Sequence, residues 1–154
     1  MLKPILLVED NPSDLELTLV ALERSHLANQ VVVTRDGAEA IDYLGAKGEW
    51  AERPAGRPAV ILLDLKLPKV DGLEVLEHIR STPGLKSIPV VMLTSSREEQ
   101  DLIRSYELGV NAYVVKPVVF KEFVDAIADL GMFWAVLNEP PPGSARVGRA
   151  PFPD

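Results

Sequence analysis

Three carboxylates in this chain stand at the ends of short apolar runs. Glu9 and Asp10 follow Ile5-Leu6-Leu7-Val8, and Asp64 follows Val60-Ile61-Leu62-Leu63. Two further polar groups end runs of the same kind: Thr94 follows Val90-Val91-Met92-Leu93, and Lys116 follows Ala112-Tyr113-Val114-Val115. Carboxylates brought close repel one another, and one of them takes up a proton unless a cation offsets the charge. A hard divalent cation with oxygen ligands is the natural partner, and Mg2+ suits a site with a few carboxylates and several retained waters. Asp64 would then serve as a nucleophile toward a phosphoryl group held in line, with Lys116 supplying a point charge and Thr94 a hydroxyl to the phosphoryl oxygens. Such a transfer asks mainly for positioning and charge neutralisation. Any one of these residues alone is more simply a turn or cap residue. Their coincidence at the ends of successive runs carries the chemical interpretation.

The elements that must position them follow from periodicity. The runs above, with Val31-Val32-Val33, are apolar on both faces, which suits parallel strands covered by helices on each side. Between them Leu15, Leu19 and Leu22, then Ala38, Ile41 and Leu44, then Leu73, Leu76 and Ile79, then Leu102, Ile103 and Tyr106, then Phe120, Phe123, Val124 and Ile127 recur at helical spacing. Capping-box spacing marks starts at Ser13 with Glu16, Asp36 with Glu39, Asp71 with Glu74 and Ser96 with Glu99. Gly109 stands where a helix should stop. The alternation predicts an α/β fold, a doubly wound five-stranded parallel sheet with right-handed crossovers. With strand order 2-1-3-4-5, strands one and three flank the switch in winding, where open sheets bind ligands. Gly45 to Pro58 is expected to be a long loop. Residues 138–154 hold five of the thirteen prolines and are expected to form an extended tail after a domain spanning 1–137.

Composition narrows the function. With no Cys, thiol catalysis, thiolate metal sites and disulfides are excluded. The net charge of -7 and the lack of a basic stripe argue against nucleic acid as a partner. No apolar run approaches the roughly 18 residues of a membrane span, and Met1 leads straight into a strand-like run without a signal-peptide pattern, so a cytoplasmic location without membrane contact is expected. His26 and His78 lack a second ligand at metal spacing and are expected to be surface or packing residues.

Taken together, the motifs resemble the response-regulator receiver family of two-component signalling. The resemblance rests on Leu7-Val8-Glu9-Asp10-Asn11, on Leu62-Leu63-Asp64-Leu65-Lys66-Leu67-Pro68 with Asp71-Gly72, on Leu93-Thr94-Ser95, and on Tyr113-Val114-Val115-Lys116-Pro117. It implies a flavodoxin-like (βα)5 fold and a phosphorylation site at Asp64, loaded by a sensor histidine kinase. It further implies Mg2+ held by Glu9, Asp10, Asp64 and the backbone carbonyl of Lys66, phosphoryl contacts from Thr94 and Lys116, and a switch pair of Thr94 and Tyr113. Such a domain is a phosphoacceptor rather than an enzyme, assisting only its own phosphotransfer and dephosphorylation. A narrower resemblance is to stand-alone receivers paired with bacterial phytochromes. It rests on Pro4 to Pro12, the long loop after Tyr43-Leu44, and Phe133-Trp134 followed by Asn138 and prolines, and it implies a bacteriophytochrome kinase as partner.

Two alternatives stay open at this point. A haloacid-dehalogenase-type phosphatase also forms an aspartyl phosphate after a strand, but needs an acid two positions on, where this chain has Lys66. A non-phosphorylated interaction domain of the same fold would not require Asp64, Thr94 and Lys116 together. A nucleotide-binding loop of the GxxxxGK type is missing after the first strand. No recognition-helix pattern follows the domain, so output is expected through protein contact. Met132, Phe133, Trp134, Val136 and Leu137 put apolar side chains nearly all round a helical segment, more than one domain can cover. A homodimer is therefore expected with Phe133, Trp134 and Leu137 at its interface; the alternative is that Phe133 and Trp134 fold back on their own domain.

Overall fold

The computed structural model describes residues 3–24, 29–94, 107–116 and 118–129. Its strands are β1 (Ile5–Val8), β2 (Val31–Thr34), β3 (Val60–Asp64), β4 (Val90–Thr94) and β5 (Ala112–Val115). Among the described residues the helices are α1 (Pro12–Arg24), α2 (Gly37–Gly45), α3 (Gly72–Ser81) and α4 (Phe120–Asp129), with a 3-10 turn at Gly48–Trp50. The strands form one parallel sheet in the order β2-β1-β3-β4-β5, as expected. The helix expected around Leu102, Ile103 and Tyr106, with its Ser96–Glu99 cap, lies outside the described residues.

Burial explains why the strand sequences are apolar throughout. Every residue of β1, β3 and β4 is buried, whereas the edge strands β2 and β5 are half-buried. Alternate side chains point to opposite faces. Ile5, Leu7, Leu62, Val91 and Leu93 pack with Leu15 and Leu22 of α1 and Phe123 of α4. On the other face Leu6, Val8, Ile61, Leu63 and Met92 pack with Ala40, Tyr43 and Leu44 of α2 and Leu73, Leu76 and Ile79 of α3. Each such large side chain contributes about 1.5–3 kcal/mol by leaving water.

Two helix starts match the capping expectation. The Asp36 side chain accepts from Glu39 N at 2.7 Å, and Asp71 with Glu74 forms a complete capping box. The first helix starts earlier than the Ser13–Glu16 spacing indicates. Asn11 Oδ1 accepts from Asp14 N at 2.9 Å, making Asn11 the cap and placing Pro12 in the first helical position, where a missing N–H costs nothing. In α2 the buried face is Ala40, Tyr43 and Leu44, with Ala38 and Ile41 only half-buried.

The long loop after α2 is better organised than its composition suggests. Trp50 stands edge-on to Tyr43 with ring centroids 5.0 Å apart, and its indole N–H donates to Glu39 at 3.1 Å. The Arg53 guanidinium lies over the Tyr43 ring, 4.5 Å from its centre, and donates to the carbonyls of Tyr43, Leu44, Pro54 and Gly56. One planar cation thus ties the end of α2 to the turn that follows it.

Candidate functional site

β1 and β3 are neighbours, and β2 and β4 lie on their outer sides, so the winding reverses between β1 and β3. The chemically interesting side chains gather at the carboxyl ends of these strands. Glu9 is the residue after β1, Asp64 and Thr94 are the last residues of β3 and β4, and Lys116 is the residue after β5. Strand-end hydrogen bonds fix them: Glu9 N to Thr34 O at 3.0 Å, Leu65 N to Leu93 O at 2.9 Å, and Lys116 N to Thr94 O at 2.7 Å. Glu9, Asp64 and Thr94 are buried, with Glu9 fully so, while Asp10 is exposed.

Glu9, Asp10 and Asp64 each offer a carboxylate oxygen, and these oxygens all lie within 4.8 Å of one another. Lys116 reaches into the group. Its Nζ is 3.2 Å from Glu9 Oε1, 3.2 Å from Asp64 Oδ1 and 2.9 Å from Asp14 Oδ2. Burial, aided by a hydrogen bond to the Asp64 carboxylate and by its charge, pushes the Glu9 carboxyl up from 4.5 to about 7; Asn11 N–H, donating at 3.2 Å, and Lys116 oppose the rise. Burial works against the Lys116 ammonium, but the hydrogen bond to Asp14 and the charges of Asp64 and Glu9 outweigh it and raise the pKa above the ordinary lysine value. The site is therefore short of positive charge: one ammonium serves three carboxylates, and burial beside Asp64 favours the protonated form of Glu9. An all-oxygen donor set in that condition fits a hard divalent cation such as Mg2+ or Mn2+.

The loop after β3 is held close by two glycines. A Cβ on Gly72 would stand 2.2 Å from the carbonyl oxygen of Asp64, and one on Gly37 would stand 1.8 Å from that of Val70. Lys66 N donates to Asp64 Oδ1 at 3.4 Å, and Lys69 takes a left-handed φ of 66° with its ammonium 3.4 Å from Asp36. The loop that frames Asp64 thus depends on the two places where α2 and α3 begin without a side chain.

Comparison with known proteins agrees with this geometry. The family model described as response regulator receiver domain matches residues 5–128. This chain belongs to the response regulator receiver family. The receiver is 45% identical over 132 residues to the response regulator Rcp1 of Synechocystis sp., spanning 86% of this chain and 88% of that one. Among solved structures it is similar to the bacteriophytochrome response regulator RtBRR, with 74% identity, a TM-score of 0.83, and coverage of 94% of this chain and 87% of that chain. It is also similar to the phosphorylated cyanobacterial phytochrome response regulator RcpA, with 44% identity, a TM-score of 0.74, and coverage of 93% and 100%. Rcp1 itself has been solved in a Mn2+-bound form, at 44% identity, a TM-score of 0.70, and coverage of 86% and 92%. The likeness is to phytochrome-associated regulators in particular.

Within the receiver, the structure brings together Glu9, Asp10, Asp64 and Lys116 as the spacing indicated. Thr94 pairs with Val115 and Tyr113 with Met92, so Thr94 and Tyr113 lie on one sheet face, one side-chain repeat apart on adjacent strands. Tyr113 is half-buried against the apolar layer beneath α2 and α3. Lys66 follows Asp64 by two positions and is exposed. Phe133, Trp134 and Leu137, the tail 138–154 and His26 lie outside the described residues; His78 is half-buried in α3. Sequence spacing missed Asp14, the nearest acid to Lys116. The available signal was its place in the first turn of the helix that follows Glu9-Asp10. Among the described residues, no helix is long and apolar enough to cross a membrane.

Proposed function

We propose that this receiver accepts one phosphoryl group on the Asp64 carboxylate, from a sensor histidine kinase of a two-component pathway. The observation that carries this reading is the meeting of Glu9, Asp10 and Asp64 oxygens within 4.8 Å, with the Lys116 ammonium 3.2 Å from Asp64. Mg2+ would be held by Glu9, Asp10, Asp64 and the Lys66 backbone carbonyl, and when bound it supplies positive charge to the phosphoryl oxygens. An Asp64 oxygen forms the new O–P bond as the donor's P–N bond breaks and the donor imidazole keeps the electron pair. Lys116 neutralises a phosphoryl oxygen, and the Thr94 hydroxyl donates to another. A phosphoryl group adds charge and acceptor oxygens beside Thr94. Thr94 drawn toward it vacates space on the face that Tyr113 shares, which couples the site to the outer surface of β5.

Two relatives support the reading from their own chemistry: RcpA was solved phosphorylated and Rcp1 with Mn2+. The similarity to RtBRR, a bacteriophytochrome response regulator, favours a bacteriophytochrome as the kinase. A phosphatase would need an acid near the leaving group, and Lys66 offers none. The test is incubation with Mg2+ and a small phosphodonor. Wild type gains one acid-labile phosphoryl group and Asp64→Asn gains none; an Asn variant labelled to the wild-type level refutes the assignment.

A further inference from the structure

We infer that Asp14 is a positioning residue that competes with the phosphoryl group for Lys116, and so discriminates among phosphodonors by their charge. This rests on Asp64 being the phosphoacceptor. A lysine ammonium has three N–H donors. Lys116 meets three carboxylates, Asp14 at 2.9 Å and Glu9 and Asp64 at 3.2 Å, so its donors are all engaged before any phosphoryl group arrives. To reach a phosphoryl oxygen it must let one partner go.

The three partners are not equal. The Glu9 and Asp64 side chains are 0% and 3% exposed and would turn to the metal once it is bound, which leaves Asp14 as the carboxylate that still holds Lys116. The Asp14 side chain is 29% exposed and stands on the solvent side of the ammonium, in the first turn of α1. Water can replace Lys116 there at small cost, which makes Asp14 the partner that yields. Until it yields it exerts two effects against the reaction. It holds the ammonium by its shortest contact, and it sets a negative charge beside the path of an anionic donor. Its backbone roles are separate: Asp14 N donates to the Asn11 cap, and Asp14 O accepts from Thr18 Oγ1 at 2.8 Å. Substitution of the carboxylate therefore keeps both of these hydrogen bonds at the helix start.

The test compares two donors with saturating Mg2+ near neutral pH. In each transfer an Asp64 oxygen bonds to phosphorus. With acetyl phosphate, a dianion, the acyl P–O bond breaks and acetate leaves with the electron pair. With phosphoramidate, a monoanion carrying its own ammonium, the P–N bond breaks and ammonia leaves. Asp14→Asn is expected to raise the acetyl phosphate rate constant about threefold to tenfold, and the phosphoramidate rate constant by less than half that factor, because the lost repulsion scales with donor charge. Asp14→Glu restores the wild-type preference between donors. Asp14→Ala, which has no amide to hold Lys116, is expected to show at least the gain of Asp14→Asn, and melting curves check that each variant is folded. Variants no faster than wild type with acetyl phosphate, or equally faster with both donors, overturn the competition. Asp64→Asn run in parallel separates the two ideas. If it stays unlabelled while Asp14→Asn shows no gain, the role of Asp14 alone is wrong; if it labels like wild type, the phosphoacceptor site and the role of Asp14 fall together.

Discussion

Two cations bracket β5, and they are held in opposite ways. At its amino end Arg80, from the last turn of α3, donates to neutral acceptors: Gly109 O at 3.0 and 2.8 Å, Asn111 Oδ1 at 2.8 Å, Lys86 O at 3.1 Å and Ile88 O at 2.8 Å. Asn111 Oδ1 also takes Val90 N at 2.8 Å, so the same knot fastens the start of β4. At the carboxyl end Lys116 donates to three carboxylates that repel one another. A planar fork matched to fixed carbonyls closes a structure. A point charge among an excess of acids leaves room for more positive charge and for exchange of partners. One end of the strand is finished, and the other is where the proposed function would place a cation and a phosphoryl group.

Removing each cation breaks the comparison most sharply. Lys116→Met leaves buried carboxylates without their counter-charge and should destabilise the metal-free protein by about 3–5 kcal/mol at pH 8, and by clearly less at pH 5.5, where Glu9 can take the proton instead. Arg80→Ala strands several carbonyls and should cost about 2–4 kcal/mol at either pH. Arg80→Lys should recover less than half of that, because an ammonium cannot span the fork. Denaturant titrations at the two pH values read all three. A pH-independent loss for Lys116→Met would mean that the carboxylates are not coupled as described.

The wild-type protein carries the same contrast in its pH dependence. Glu9 titrates near 7 in the fold against 4.5 unfolded, so its share of stability is complete below 4.5 and is lost as the pH rises through 7. That share amounts to up to about 3 kcal/mol. Metal-free melting temperatures should therefore fall from pH 5 to pH 8, and Glu9→Gln should flatten the slope. Metal binding requires the ionised carboxylate, so Mg2+ should release a proton below pH 7 and bind more tightly as the pH rises. Calorimetry in buffers of different ionisation enthalpy measures the proton; no release at pH 6 would exclude Glu9 from the metal shell.

The smallest effect on either end of β5 is expected from the segment beyond α4. The homodimer expected through Phe133, Trp134 and Leu137 should be lost in a Phe133→Ala, Trp134→Ala double variant whose phosphoryl acceptance is unchanged. Light scattering decides, and a full-length chain that is monomeric at high micromolar concentration, phosphorylated or not, removes the dimer.

The sequence made the carboxyl end of the sheet legible because strand ends coincide with changes from apolar to charged residues. Four of the five runs stop at a candidate site residue, so Glu9, Asp64, Thr94 and Lys116 could be placed at this end of the sheet without knowing the contacts. What stayed hidden are bonds between residues distant in the chain. Arg80 follows Ile79 near the end of α3, and nothing local tells that its guanidinium reaches the Gly109 carbonyl. Asp14 resembles any acid in a first helical turn, where a negative charge is favoured in its own right. Arg53 and Trp50 sit in a stretch whose glycines and prolines suggest irregular chain, and only their packing on Tyr43 gives it order. The Asn11 cap could have been found, since a proline right after a capping residue fits the first helical position better than Ser13 does as a start.

The measurement that bears most directly on the central claim is the metal dependence of phosphoryl transfer to Asp64. The receiver is incubated with a small phosphodonor with and without Mg2+, and the modified residue is located by mass spectrometry after chemical trapping of the acyl phosphate. One phosphoryl group per chain, on Asp64, formed with Mg2+ and lost on chelation, is the predicted result. Equal labelling without a divalent cation, or a phosphoryl group found on another residue, would contradict it.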